Sequence, residues 1–159
     1  MIYDVTTERD GEFWLIRIPE LDGVTQARTR DEIPDMARDY ISITLSMPLD
    51  AFEILLDLWR LEPLPNGVDE IVEHLAGKAR RYGNRLHWME KEKLKADLMN
   101  EPQRWSRISS EHLRARALNA GMRAEDADLI AELVRKRGKG RRLVPKATYR
   151  HFRFGLESH

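Results

Sequence analysis

Nine cations stand between positions 135 and 154 with no carboxylate among them, in the stretch RKRGKGRRLVPKATYRHFRF: Arg135, Lys136, Arg137, Lys139, Arg141, Arg142, Lys146, Arg150 and Arg153. Lysine and arginine at this density neutralise phosphates and release the counterions condensed around a nucleic acid. Gly138 and Gly140 let backbone approach a phosphate closely, and Pro145 prevents one continuous helix. For residues 136–142 a nucleic-acid contact is preferred over a solvated loop or a clamp on an acidic protein. Tyr149, His151, Phe152 and Phe154 alternate with Arg150 and Arg153. These rings either stack on unpaired bases or belong to a terminal strand that packs them into a core, and the core reading is preferred. An anionic membrane fits less well, because no sustained amphipathic helix accompanies the charge.

The remaining chemistry-bearing residues form no catalytic pattern. There is no nucleophile motif and no phosphate-cradling glycine loop. His74 and His87 lack a carboxylate at metal-ligand spacing, so each reads as a solvated histidine, and the chain has no cysteine. Trp88 reads as an anchor against the rest of the fold or a dimer mate. Asp4, Glu8, Asp10 and Glu12 fall on or near one hairpin, and an alternating strand cannot aim all four at a shared metal pair. The expectation is a protein with no catalytic residues, no metal and no cofactor.

The charge total conceals an asymmetry. The 159 residues carry 27 basic and 27 acidic side chains, yet residues 1–60 hold six basic against thirteen acidic, and residues 61–159 hold 21 against 14. An acidic front and a basic back imply two surfaces with different partners. Apolar content of 42% suffices for a core. The opening MIYDVTTERD is too polar for a signal peptide, and no apolar run approaches the roughly 18 residues of a membrane span. A soluble cytoplasmic protein with no membrane partner is expected.

The elements that position these residues begin with a hairpin. Residues 2–7 alternate, Asp10-Gly11 supplies a turn, and residues 13–18 return with Trp14, Ile16 and Ile18 on one face. Pro19 and Gly23 break the ladder before a third strand at 24–28. A helix follows, with Thr29 and Glu32 at capping-box spacing and Ile33, Met36, Ala37, Tyr40, Ile41 and Leu45 on one face. Pro34 is discordant but lies near the end of the first turn, and Pro48 ends the helix. A fourth strand is expected over 52–58.

This order is β-β-β-α-β, and the stretch IPELDGVTQARTRDEIPDMARDYI resembles the HicB family of antitoxins from bacterial toxin–antitoxin pairs. Pro19, Glu20, Leu21 and Gly23 match that family's turn. Thr25, Gln26 and Ala27 match the short strand, and Thr29 to Glu32 with Ala37 match the capped helix. FWLIRI is similar to the preceding strand. The resemblance covers roughly residues 1–60. It implies a partial RNase H-like fold that has lost catalysis, dimerisation, and the binding of a small mRNA-degrading toxin. It also implies that DNA binding and autoregulation come from a separate C-terminal part. An acidic front suits a basic toxin, although the same acids could serve only solubility.

Beyond the turn-rich RLEPLPNG, a helix is expected over 69–82, with Gly83-Asn84 as a break or a weak point. MEKEKLKADLMNEP reads as a charged surface helix that Pro102 stops. Ser109 or Ser110 caps a helix ending near Gly121, and a second spans 124–137. These two could form a helix-turn-helix. However, Glu125, Asp126 and Asp128 would be repelled by phosphates at the start of a recognition helix, so a plain helical hairpin is preferred.

The expected fold class is therefore α+β: a small HicB-like domain at 1–60, a helical connector at 61–102, and a basic helical region with a basic and aromatic tail at 103–159. The expected function is a HicB-like antitoxin and transcriptional regulator. Its partners would be a second copy of itself, a small basic toxin, and nucleic acid, DNA in preference to RNA. The alternatives are a phage or bacterial protein that uses a HicB-like domain to bind another protein without any toxin, or an RNA-binding module.

Overall fold

A computed structural model describes residues 1–138 and 149–156. The chain is mixed α+β and divides into two compact units, Met1–Leu61 and Glu62–His159.

In the first unit, β1 (Ile2–Asp10), β2 (Phe13–Ile18) and β3 (Gly23–Ala27) form an antiparallel meander. The chain then crosses through α1 (Ile33–Leu45), and β4 (Glu53–Leu56) pairs in parallel with β1. The strand order is β3-β2-β1-β4. Asp10 faces Phe13 across the first turn, so Gly11 and Glu12 alone connect the two strands. Alternation buries Tyr3 and Val5 of β1 and Ile16 and Ile18 of β2 on one face. Against that face α1 lays Ile33, Ala37 and Ile41, spaced by one helical turn. Each fully buried isoleucine here is worth about 1.5–3 kcal/mol of hydrophobic stabilisation.

The helix begins later than its capping-box spacing predicts. Arg30–Glu32 form a 3-10 turn, and the Thr29 side chain caps nothing. Glu32 instead accepts from the Arg28 amide at 3.1 Å. With α1 starting at Ile33, Pro34 sits in its first turn, where no intrahelical donor is lost. The fourth strand is shorter than the expected 52–58. Asp57 ends it by accepting from the amide and hydroxyl of Thr7, both at 2.9 Å, and from the Leu58 amide at 2.8 Å. The chain turns there into α2 (Asp57–Leu61).

The second unit is helical: α3 (Val68–Arg81), α4 (Trp88–Asn100), α5 (Pro102–Trp105), α6 (Ser110–Asn119) and α7 (Ala124–Gly138). One core joins Val68, Ile71 and Leu75 of α3, Leu94 and Leu98 of α4, Trp105, Leu113 of α6, Ile130 of α7 and Phe154. The residues expected as a connector (61–102) and those expected as a basic region (103–159) thus share this core. Pro102 stops α4 as expected, but it also opens α5, at a position that needs no amide donor. Ser109 Oγ accepts from the His112 amide at the start of α6. At its end Gly121, at φ +93, gives the left-handed residue of a Schellman motif, with Met122 N–H bonding to Ala117 O and Gly121 N–H to Leu118 O, each at 3.0 Å.

The helix expected to be a charged surface element is half interior. Glu90, Leu94, Ala96, Asp97 and Leu98 of α4 are buried. The terminal strand expected for TYRHFRF does not form in residues 149–154, which hold a turn followed by residues without regular structure. Phe154 is nonetheless buried and Phe152 packs against the core, as the core reading of these rings requires. Among the described residues no helix is long and apolar enough to cross a membrane.

Candidate nucleic-acid interface

The described part of the basic run starts at the last turn of α7. Arg135, Lys136 and Arg137 stand where the helix dipole favours positive charge, so part of their placement is structural. Arg135 pairs with Glu132, one turn back. Arg137 Nη2 donates to the Pro102 carbonyl at 2.8 Å. Lys136 is half-buried. Lys139, Arg141, Arg142 and Lys146 lie outside the described residues.

On the far side of the run, Asn100 Nδ2 donates to the carbonyls of Arg150 (2.9 Å) and Phe152 (3.0 Å). Arg153 Nε lies 3.4 Å from Glu101 Oε1. The Phe154 amide donates to Asp97 Oδ1 at 3.1 Å. Both flanks of the basic run are therefore fastened to residues 97–102, at the junction of α4 and α5. Arg135, Arg137 and Arg153 are engaged within the chain, whereas the Arg150 side chain is exposed.

In α7, the second helix of the pair, Asp126, Ala127, Ile130, Ala131, Leu133 and Val134 are buried, while Ala124, Glu125 and Asp128 are exposed, so the open side of its first turns carries acid and no cation. Its early acids are used in folding. Asp126 accepts from the Leu86 amide at 3.0 Å and from Arg123 Nε at 3.1 Å, and Asp128 accepts from Arg114 Nε at 2.8 Å. The repulsive acids noted in the sequence are thus interior locks and ion pairs, and a hairpin is what the pair forms.

His74 and His87, expected to be solvated, are both exposed. His87 Nδ1 caps α4 by accepting from the Met89 amide at 3.2 Å. His74 packs edge-on to Phe154 and stands 3.9 Å from Glu90 Oε2. That carboxylate is buried, its Oε1 lies 3.4 Å from Lys93 Nζ, and Oε2 has no hydrogen-bond partner. The four early carboxylates do not converge either: Asp4, Glu8 and Asp10 are exposed along β1, and Glu12 lies in the turn. Among the described residues no group of three or more His, Asp or Glu could hold a metal ion.

Trp88, expected as an anchor against the rest of the fold or a dimer mate, is 48% exposed. It meets Tyr149 edge-on at 6.5 Å and lies 5.8 Å from His87, which in turn is 6.5 Å from Tyr82. Apolar spacing put Tyr82 with Ile71, Val72, Leu75 and Ala79 on one face of the helix expected over 69–82, but Tyr82 lies beyond α3 and is 61% exposed; Arg81 and Arg85 were not selected from the sequence. The available signal was a second acid-free stretch, residues 74–89, between Glu73 and Glu90.

Comparison with protein families, curated proteins and solved structures gives no match for this chain.

Proposed function

We propose that this chain is a HicB-like regulator without catalytic activity. In this reading, the first unit dimerises and holds a small basic toxin, and the basic C-terminal region binds DNA. The observation that carries the reading is the strand order β3-β2-β1-β4, in which an antiparallel meander is followed by a helix and a strand parallel to β1. It supports the reading because the resemblance of residues 1–60 to HicB antitoxins implies a partial RNase H-like fold and the element order read from the sequence is β-β-β-α-β.

The face of the sheet that α1 leaves uncovered adds support. It exposes Asp4, Glu8 and Asp10 beside Ile2, Phe13 and Val24, a mixture of acid and apolar surface suited to a basic protein partner. Because the open side of the first turns of α7 carries acid and no cation, DNA contact in this reading falls on the basic run and not on a recognition helix.

The test is fluorescence anisotropy of the full chain on a duplex from its own upstream region, beside a scrambled duplex and across a salt series. Replacing Arg137, Lys139, Arg141 and Arg142 with alanine is expected to weaken binding to both duplexes alike and to flatten the salt dependence. An unchanged salt slope would remove the run from the interface. Absence of duplex binding together with absence of a copurifying basic protein would overturn the regulator reading in favour of a toxin-free interaction protein.

A further inference from the structure

We infer that the second unit carries a contact surface for unpaired bases of single-stranded nucleic acid, built on the exposed rings of Tyr82, His87 and Trp88 and the half-buried ring of Tyr149. This goes beyond the regulator reading, since it requires neither a toxin nor an operator.

The row is a product of folding. Tyr82 follows the last turn of α3, and the left-handed pair Gly83 (φ +76) and Asn84 (φ +63) reverses the chain, so that His87 returns to within 6.5 Å of Tyr82. His87 is fixed by its cap bond to the Met89 amide, which orients its ring next to Trp88. Tyr149 arrives from the other end of the unit, held by the bonds from Asn100 to the Arg150 and Phe152 carbonyls. Successive centroids are 6.5, 5.8 and 6.5 Å apart, and Tyr82 and Trp88 are 61% and 48% exposed.

Charge selects the occupant. The contact between Trp88 and Tyr149 joins residues 74–89 to residues 149–156, and neither stretch holds a carboxylate. Arg81, Arg85 and Arg150 are exposed beside these rings in sequence. A basic or neutral protein surface would gain nothing from these cations. A polyanion whose own rings are free to stack uses both features: phosphates meet the arginines, and bases meet the aromatic faces. Bases in a duplex are already stacked and present no face, so the surface discriminates single strands from duplex. The two acid-free stretches are far apart in sequence, which is why neither alone reads as an aromatic platform.

The test is anisotropy of the full chain on a labelled 12-nucleotide RNA, the same sequence as single-stranded DNA, and the corresponding DNA duplex. Trp88→Ala, Trp88→Phe and Tyr82→Ala are compared with the parent, and thermal melts verify that each variant is folded. Both sites are exposed, so folding is expected to survive. Single strands are expected to bind more tightly than duplex. Trp88→Ala should weaken single-strand binding by about tenfold with little change in salt slope, and Trp88→Phe should retain most of it. Single strands should also quench the parent's tryptophan fluorescence, and Trp88→Phe should abolish the quench. The RNA and DNA arms separate a 2′-hydroxyl preference from stacking alone.

Single-strand affinity unchanged in Trp88→Ala, or no single-strand binding, would overturn the inference. Retained duplex binding in either case would leave the regulator reading standing. Tighter, Trp88-dependent binding of a polyglutamate chain would overturn it in favour of an acidic protein partner.

Discussion

Trp105 Nε1 donates to Asp97 Oδ2 at 2.8 Å, and both side chains are buried. The same carboxylate accepts from Arg104 Nη1 at 2.7 and 2.8 Å and from the Phe154 amide at 3.1 Å. One fully buried charge thus ties α4, α5 and the chain at 149–156 together. Its cost in desolvation is offset only while all of these donors are present.

Asp97→Ala removes the acceptor and leaves a buried indole N–H, a largely buried guanidinium and a backbone amide without partners. Urea unfolding is expected to show a loss of about 3–5 kcal/mol. Trp105→Phe deletes a single donor and should cost less, about 2 kcal/mol. Asp97→Ala should also speed trypsin cleavage after Arg150 and Arg153, which are already exposed, because the backbone there is held less firmly once the Phe154 amide loses its acceptor. A stability within 1 kcal/mol of the parent, taking about that value as the net worth of one ordinary hydrogen bond, would refute the idea that Asp97 organises this junction.

Gly23, the glycine of the PELDG turn, opens β3 under the ring of Tyr40 on α1. A Cβ at that position would lie 2.7 Å from Tyr40 Cζ and 2.8 Å from its Oη. The ring is partly buried against the core between helix and sheet, so it must shift out of that packing to make room. Gly23→Ala is expected to destabilise the first unit by about 1–3 kcal/mol. In a Tyr40→Ala background the same change should cost far less, and the double-mutant cycle should give a coupling of about 1 kcal/mol or more. Additive effects would place the reason for this glycine elsewhere.

Much of the first unit was legible because its signals are local. Alternation located β1 and β2, although β1 runs on to Asp10, past the expected residue 7, Asp10-Gly11 located the turn, and the spacing of Ile33, Ala37 and Ile41 located the inner face of α1. Boundaries shifted where a side chain made a distant bond. Asp57 ends β4 because Thr7, fifty residues earlier, supplies two donors.

The second unit was harder to read for the same physical reason. Asp97 and Asp126 look like surface charges in their own segments, but their donors include Phe154 and Leu86, 57 and 40 residues away. The cations of the run were legible as composition, but the engagement of Arg137 with Pro102 and of Arg153 with Glu101 was not. Nor could any local pattern show that Trp88 and Tyr149 meet.

Asp69 near the start of α3 gives the second unit a specific acid sensitivity. It accepts from Arg116 Nε at 2.8 Å and Nη2 at 2.9 Å, and from the Leu64 amide at 3.2 Å. Burial pushes its pKa up, but the Arg116 hydrogen bonds, the Leu64 amide and the positive charges of Arg116 and His112 outweigh burial and hold it below the usual carboxylate value. A depressed folded-state pKa means that the unfolded chain takes up the proton first as pH falls. The stabilisation is therefore complete above the ordinary aspartate value of about 3.9 and is lost as pH drops through the lower folded value. Asp69→Asn should be less stable than the parent by about 1–2 kcal/mol at neutral pH. That difference should shrink steadily as pH falls from about 4 through the lower folded value, as the unfolded parent takes up the proton before the folded one does. Urea titrations of both proteins from about pH 7 to about pH 3 measure it directly. A gap that stays constant across this range would show that Asp69 contributes through shape and neutral hydrogen bonding, with no part played by its charge.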